Sequence, residues 1–155
     1  MITQGTHTAK PSGHSFAGLL LGLTGALAAL LTLNLAVFDD LRTDPTAGVL
    51  ETFTKPQHLS SLVVVLIAAT LIAFNHRLAG RVAVGVAWIE IVAFTFFHLI
   101  PAEVGPTKPY WGDGMGDALQ WLGLLSILAV SAAIVHVARR SPNRAITPVA
   151  VSVPS

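Results

Sequence analysis

The sequence has few charged residues and no cysteine. Only 11% of its 155 residues are charged, whereas a soluble domain carries about 25%. Because this number of charged residues cannot cover a water-facing surface, most of the surface is predicted to face lipid. The absence of cysteine excludes disulfides, iron–sulfur clusters and thiolate metal sites. A net charge of +1 provides no basic field for a nucleic-acid partner.

The sequence also lacks the local motifs of several enzyme classes. It has no phosphate-binding glycine loop, no Ser–His–Asp set and too few acids in its apolar stretches for a di-metal carboxylate site. The segment GDGMGD at 112–117 has two acids but no regular series of oxygen ligands, so it does not match a calcium loop. We predict no catalytic residue, and the sequence favours a protein that is not an enzyme.

Four apolar stretches are long enough to cross the roughly 30 Å hydrocarbon core of a bilayer. We predict spans at about 16–38, 58–75, 81–100 and 117–138, inside a transmembrane unit at 15–140. The segments 1–14 and 141–155 are predicted to be flexible tails. The fold class is therefore all-α, and the connections favour an integral membrane antiparallel four-helix bundle.

The connections carry helix signals of their own. Asp44 followed by Pro45 predicts the start of a short helix on the membrane surface. This helix would run to about Phe53 and end at Pro56. Asp117 is predicted to cap the fourth span.

The distribution of cations predicts the orientation. Six of the nine cations flank one side of the predicted bundle, namely Lys10, Arg77, Arg81, Arg139, Arg140 and Arg144. Positive charge favours the cytoplasmic side, so both termini are predicted to be cytoplasmic. Arg outnumbers Lys, and Ala, Gly, Leu and Val are abundant, which is typical of a GC-rich bacterial genome. We therefore expect the bacterial cytoplasmic membrane.

Small residues recur at helical spacing in the first and third spans. Gly18, Gly22 and Ala26 repeat every fourth residue, and Ala83 and Ala87 do the same. Such spacing lets another helix approach closely. The predicted partners are the lipid bilayer and either a second copy of the chain or another membrane subunit.

Glu90 lies near the middle of the third span. An ionisable group at that depth is costly and needs a reason. Small Ala83 and Ala87 on the same face would let another helix come close, so Glu90 is predicted to face protein. No Lys or Arg occurs at the same depth on another span, so Glu90 is predicted to be mostly neutral. The candidate hydrogen-bond partners are Thr24, Thr70, Ser126 and Ser131. Three roles stay open: a neutral acid that holds two helices together, a proton- or ion-coupled group, and a site for the polar part of a lipid-like ligand.

A second set of polar residues is predicted to meet on the outer face. His98 ends the third span about 12 Å along the helix from Glu90, and it is the other candidate for a ligand- or proton-linked role. Imidazole with carboxylates suits Zn²⁺ or Cu²⁺, so a divalent metal is possible although no local ligand motif supports it. The metal candidates are His58, His98, Asp39, Asp40 and Glu103.

Histidine pairs at two levels raise the question of haem. His58 and His98 would share the outer level, and His76 and His136 the inner one. His58 and His76 are about 27 Å apart along one helix, which places both at the ends of their span. Bis-histidine haems need ligands inside a bundle, so haem is not expected.

Two functions are compatible with these residues. The first is a non-catalytic subunit or scaffold of a membrane complex, which the short length and sparse polar groups favour. The second is a small transporter or membrane enzyme linked to a proton, a metal or a lipid, which would use Glu90 and the outer cluster of histidines and carboxylates.

Overall fold

The computed structural model is built from helices. It describes residues 13–38, 42, 46, 48–101, 104, 109–111 and 116–140, and these residues contain no strand. The α-helices are α1 (Gly13–Leu33), α2 (Val49–Thr54), α3 (Pro56–Ala73), α4 (Ala79–Leu99) and α5 (Ala118–Arg140). A π-helical segment, Asn34–Phe38, directly continues α1.

Four helices are long and apolar enough to cross a membrane, as predicted. They are Phe16–Phe38, Pro56–Ala73, Ala79–Leu99 and Ala118–Arg140. Each of their ends lies within two residues of the predicted boundary. Most of the two tails, 1–12 and 141–155, lies outside the described residues, and α1 begins at Gly13.

The short helix ends just before Pro56, as predicted, but Pro56 also begins the next helix, two residues before the predicted start of the second span. α2 ends at Thr54, and Pro56 occupies the first turn of α3. The break is confined to Lys55, whose φ and ψ of −54° and 132° interrupt the helix. Proline suits the first helical position because its fixed φ is already helical and its missing N–H has no partner there. α2 begins at Val49, and the proposed cap at 44–45 lies outside the described residues.

A tight turn joins α3 to α4. Asn75 adopts a left-handed conformation with φ 49°, which asparagine tolerates better than most residues. The N–H of His76 donates to the Leu71 carbonyl at 2.8 Å, and that of Asn75 donates to the Ile72 carbonyl at 3.0 Å. These two bonds form a Schellman motif, which satisfies carbonyls left over at the end of α3.

The four long helices pack in a ring that follows the chain order. α1 contacts α3, α3 contacts α4, α4 contacts α5, and α5 closes the ring against α1. The centre is apolar and includes Leu27, Val65, Ala68, Ala87 and Ile127, all at 0% exposure. Large apolar side chains such as Leu66, Val92 and Leu125 lie exposed on the outside, where a bilayer would cover them.

The described residues of the two long connections lie at one end of the ring, which we call the loop end. Arg42, just beyond the π-helical segment, forms an ion pair with Asp117 at the start of α5. Tyr110 contacts His98 near the end of α4 and Trp121 in α5. α2 contacts both the π-helical segment and α3. The opposite end, which holds the turn at 74–78, is called the turn end.

Candidate functional site

Glu90 is completely buried in the ring of helices. Its exposure is 0%, and Ala83 and Ala87 on the same helix are exposed by only 1% and 0%. Among the described residues, neither carboxyl oxygen of Glu90 has a hydrogen-bond partner. Buried polar atoms in native proteins are almost always paired, so this carboxyl group is an exception that requires an explanation.

Ser61 is the polar side chain that faces Glu90. It lies on α3 near the Glu90 carboxyl group and is half-buried. The two groups do not meet the geometry of a hydrogen bond. Ser61 was not among the predicted partners, although it shares the buried face of α3 with Val65 and Ala68 at helical spacing.

Two of the four predicted hydrogen-bond partners of Glu90 use their hydroxyl groups within their own helices. The Thr24 hydroxyl donates to the Leu20 carbonyl at 2.8 Å, one turn earlier in its own helix. Thr70 is exposed and bonds in the same way to Leu66. Both hydroxyls are therefore used locally, as short polar side chains often are within helices.

The two serines of α5 are the remaining predicted partners. Ser126 is half-buried. Ser131 is buried at 0% exposure, and its hydroxyl has no hydrogen-bond partner within the described part of the chain. Measured from the turn end, Ser131 and Glu90 lie about 13 Å and 16 Å along their helices. Ser131 is thus a second unpaired polar group at a similar depth.

The space around Glu90 limits what it can bind. Because its side chain has 0% exposure, not even a water molecule has room against it. A metal ion with its ligands, or the polar head of a lipid, would need the helices to separate. Within the observed packing, a proton is the ligand that the carboxyl group can hold.

His98 lies in an aromatic cluster at the loop end. Its ring is 4.2 Å from that of Tyr110 and 5.5 Å from that of Phe94, between ring centroids. The backbone N–H of Tyr110 also donates to the His98 carbonyl at 3.0 Å. Trp121 of α5 approaches Tyr110 edge-on at 6.0 Å. His98 therefore joins the end of α4 to α5 through Tyr110, a contact that no local pattern in the sequence indicated.

Of the five predicted metal ligands, the structure describes His58 and His98. No group of three or more His, Asp or Glu residues that could hold a metal ion occurs among the described residues. The Nδ1 atom of His58 lies 2.8 Å from the Thr52 carbonyl oxygen, where it ties α3 to α2. The other candidates, Asp39, Asp40 and Glu103, lie outside the described residues.

Asp117 caps α5, as predicted. Its Oδ1 accepts the N–H groups of Leu119 and Gln120 at 3.0 and 3.1 Å, and the Gln120 Oε1 accepts the Asp117 N–H at 3.0 Å. This reciprocal pattern is a capping box. The hydrogen bond from the Gln120 backbone, together with the nearby Arg42 guanidinium, lowers the pKa of the Asp117 carboxyl group.

The small residues predicted for helix packing fall on two different surfaces. Ala83 and Ala87 lie inside the ring. Gly18, Gly22 and Ala26 face outwards, and a Cβ atom added at Gly18 or Gly22 would meet nothing within 4 Å. The small residues of α1 are therefore not used for packing within the described part of the chain.

The row of small residues on the outward face of α1 is longer than the sequence pattern that predicted helix packing there. At steps of three and four residues it continues along the helix and the π-helical segment, and all its members are exposed: Gly18, Gly22, Gly25, Ala29, Thr32 and Ala36. We call this row the α1 seam. The opposite face of α1 carries the buried Leu20, Leu27 and Leu31.

Comparison with known proteins provides no relative. The chain matches no protein-family model, no curated protein and no solved structure. Function must therefore be argued from the residues of this chain.

Proposed function

We propose that the chain is a non-catalytic scaffold subunit of the bacterial cytoplasmic membrane whose copies associate through the α1 seam. In this proposal the ring is an antiparallel bundle with both termini in the cytoplasm. The orientation is supported by the six of nine cations that flank the turn end or the tails. The assembly is supported by the exposed seam.

The seam is the main support for the proposal, because no described residue of the chain packs against it. Its six residues extend about 27 Å along the helix axis, close to the thickness of the hydrocarbon core. None is larger than threonine. Lipid is as apolar as leucine side chains, so helices in a bilayer associate by close packing rather than by the hydrophobic effect. A seam of small residues allows that close approach.

A second copy of the chain is the partner that fits this surface. The seam residues carry no charge and no large side chain, so another helix can approach them closely. The single side-chain hydroxyl on it, that of Thr32, donates to the Ala28 carbonyl at 2.9 Å. A seam of small residues can pack against the same seam of a second copy across a two-fold axis, which is the commonest symmetry of protein dimers.

The size of the purified protein tests the proposal. The variant carrying both Gly22→Leu and Gly25→Leu should behave as a single chain after mild detergent extraction, whereas the unmodified protein should run as a dimer. Gly85→Leu is a matched control, because Gly85 is an exposed glycine on α4 with no neighbour within 4 Å of an added Cβ atom. Equal sizes for all three proteins would refute assembly through the seam. Recovery of a different membrane protein, lost only in the double variant, would replace the second copy as partner.

A further inference from the structure

We propose that the outer face of α3 and the turn after it form a binding site for one anionic phospholipid. In this site an acyl chain lies in a groove on α3, and the phosphate group binds Arg77 and Arg81. The site is separate from the α1 seam, because it uses a different helix surface and a different kind of partner. Two observations support it, the groove itself and the distribution of charge at the turn end.

A shallow groove runs along the outer face of α3. It has a volume of about 280 Å³, and its lining residues recur at helical spacing on one face: Val63, Leu66, Ile67, Thr70 and Leu71. The one hydroxyl group in the lining, that of Thr70, donates to the Leu66 carbonyl at 2.8 Å. No polar hydrogen remains for an occupant, so the groove suits a hydrocarbon chain.

The groove lies in the half of the membrane nearer to the turn end. It extends from Val63, near the middle of α3, to Leu71, close to the end of the helix at Ala73. This distance is about 12 Å along the helix axis, and one leaflet contributes roughly 15 Å to the hydrocarbon core. The groove therefore matches an acyl chain whose head group lies at the turn end.

The turn end carries positive charge and no acid. Seven of the eight acids of the sequence lie within 39–57 and 102–117, the two long connections, and the eighth is Glu90. Arg77 and Arg81 are exposed. Neither guanidinium group has an ion pair or a hydrogen bond within the described part of the chain. Both are therefore available to an anion.

The turn keeps these arginines next to the end of the groove. Asn75, in its left-handed conformation, reverses the chain directly after α3. The N–H of Leu78 then donates to the His76 Nδ1 atom at 3.2 Å. Arg77 lies within this turn, and Arg81 lies in the first turn of α4. Both cations are thus at the level of the phosphate groups of the leaflet whose acyl chains reach the groove.

An anionic phospholipid matches both parts of the site. Guanidinium groups bind phosphate through paired, charge-assisted hydrogen bonds, and basic sites beside transmembrane helices bind anionic head groups. A zwitterionic lipid has the same acyl chains but also carries a cation, which a turn end without acids repels. A soluble phosphate ester lacks the chain that fills the groove.

Native mass spectrometry tests the head-group contact. The protein in detergent is mixed with equal amounts of dioleoylphosphatidylglycerol and dioleoylphosphatidylcholine, and the bound lipid is identified by its mass. We expect one phosphatidylglycerol per chain, in preference to phosphatidylcholine. The variant carrying both Arg77→Gln and Arg81→Gln should bind it about 30-fold more weakly, or roughly fivefold for each lost cation.

The matched control removes the same charge from the same end of the ring. The variant carrying both Arg139→Gln and Arg140→Gln changes the last turn of α5, a helix that does not line the groove. It should keep its phosphatidylglycerol. Equal losses in the two double variants, or equal binding of both lipids by the unmodified protein, would overturn the site.

A bulky side chain in the groove tests the acyl-chain contact. Leu66→Trp should lose the bound phosphatidylglycerol because the indole ring occupies the groove. Leu125→Trp is the control, since Leu66 and Leu125 are both exposed by 57% but Leu125 lies on α5, outside the groove. It should retain the lipid. Equal retention by the two tryptophan variants would show that the groove does not hold the chain.

Discussion

Gly123 and Phe38 lie in direct contact where the start of α5 crosses the π-helical segment. A Cβ atom at Gly123 would come within 2.8 Å of the Phe38 ring and 3.0 Å of the Asn34 Oδ1 atom. The first distance is too short for two carbon atoms in contact, and the second is tighter than most such contacts. The absence of a side chain at Gly123 is what allows the two elements to pack this closely, while the buried Asn34 oxygen finds no hydrogen-bond partner there.

The first prediction concerns this contact. Gly123→Ala should lower the free energy of unfolding by about 1–3 kcal/mol, the usual cost of forcing an extra carbon into a packed interior. The measurement is thermal or denaturant unfolding in a fixed detergent. Gly85→Ala serves as control, because nothing lies within 4 Å of the added carbon. It should be neutral or gain up to about 1 kcal/mol from the lower flexibility of alanine. Equal stabilities of the two variants would show that the packing of α5 does not depend on the close contact at Gly123.

The second prediction concerns the loss of folding stability at low pH. The pKa of Asp117 is lowered from its ordinary value of 3.8 in the folded protein. A carboxyl group with a depressed pKa stabilises the fold while it is ionised. Its contribution is therefore fully present above about pH 4 and is lost as the pH falls through the lower folded value.

Variants at Asp117 separate its two functions. Asp117→Asn should keep the cap of α5 but lose the ion pair with Arg42, and Asp117→Ala should lose both. We expect stability at pH 7 to fall in the order unmodified protein, Asp117→Asn, Asp117→Ala, and the acid-dependent loss to disappear in both variants. If stability were still lost at low pH in Asp117→Asn, a different group would be responsible for that loss.

The third prediction concerns orientation, and the absence of cysteine makes it easy to test. Leu50 near the loop end and Phe74 near the turn end are exposed by 78% and 81%. In intact cells, a membrane-impermeant maleimide should label Leu50→Cys but not Phe74→Cys. Permeabilised cells should label both. The reverse pattern in intact cells would place the termini outside the cytoplasm.

The sequence was sufficient to predict the spans because length and apolar composition alone determine which stretches can cross a bilayer. The Asp117 cap was also predictable, since its hydrogen bonds reach only to residues 119 and 120. Pro56 marked the end of α2 correctly, but its second role as the first residue of α3 was missed because proline can either stop a helix or begin one. Local sequence alone does not distinguish these two outcomes.

The neighbours of Glu90 and His98 could not be predicted from the sequence, for a different reason. Ser61 faces Glu90 because of how α3 and α4 rotate against each other, and this rotation is set by packing over the whole helix pair. Tyr110 meets His98 through a long connection whose path no periodic pattern describes. The outward direction of the α1 seam likewise depends on which face the other helices cover. These are properties of tertiary packing rather than of local sequence.

The central claim is that two copies of the chain meet along the α1 seam. Single cysteines in this cysteine-free chain test it most directly, by oxidative cross-linking of protein diluted in lipid bilayers. Ala29→Cys, on the seam near mid-span, should form a disulfide-linked dimer. Leu66→Cys should not, because Leu66 lies at a comparable depth on the exposed face of α3, where its exposure is 57%. Equal cross-linking of the two variants, or a dimer from Leu66→Cys alone, would contradict assembly through the seam.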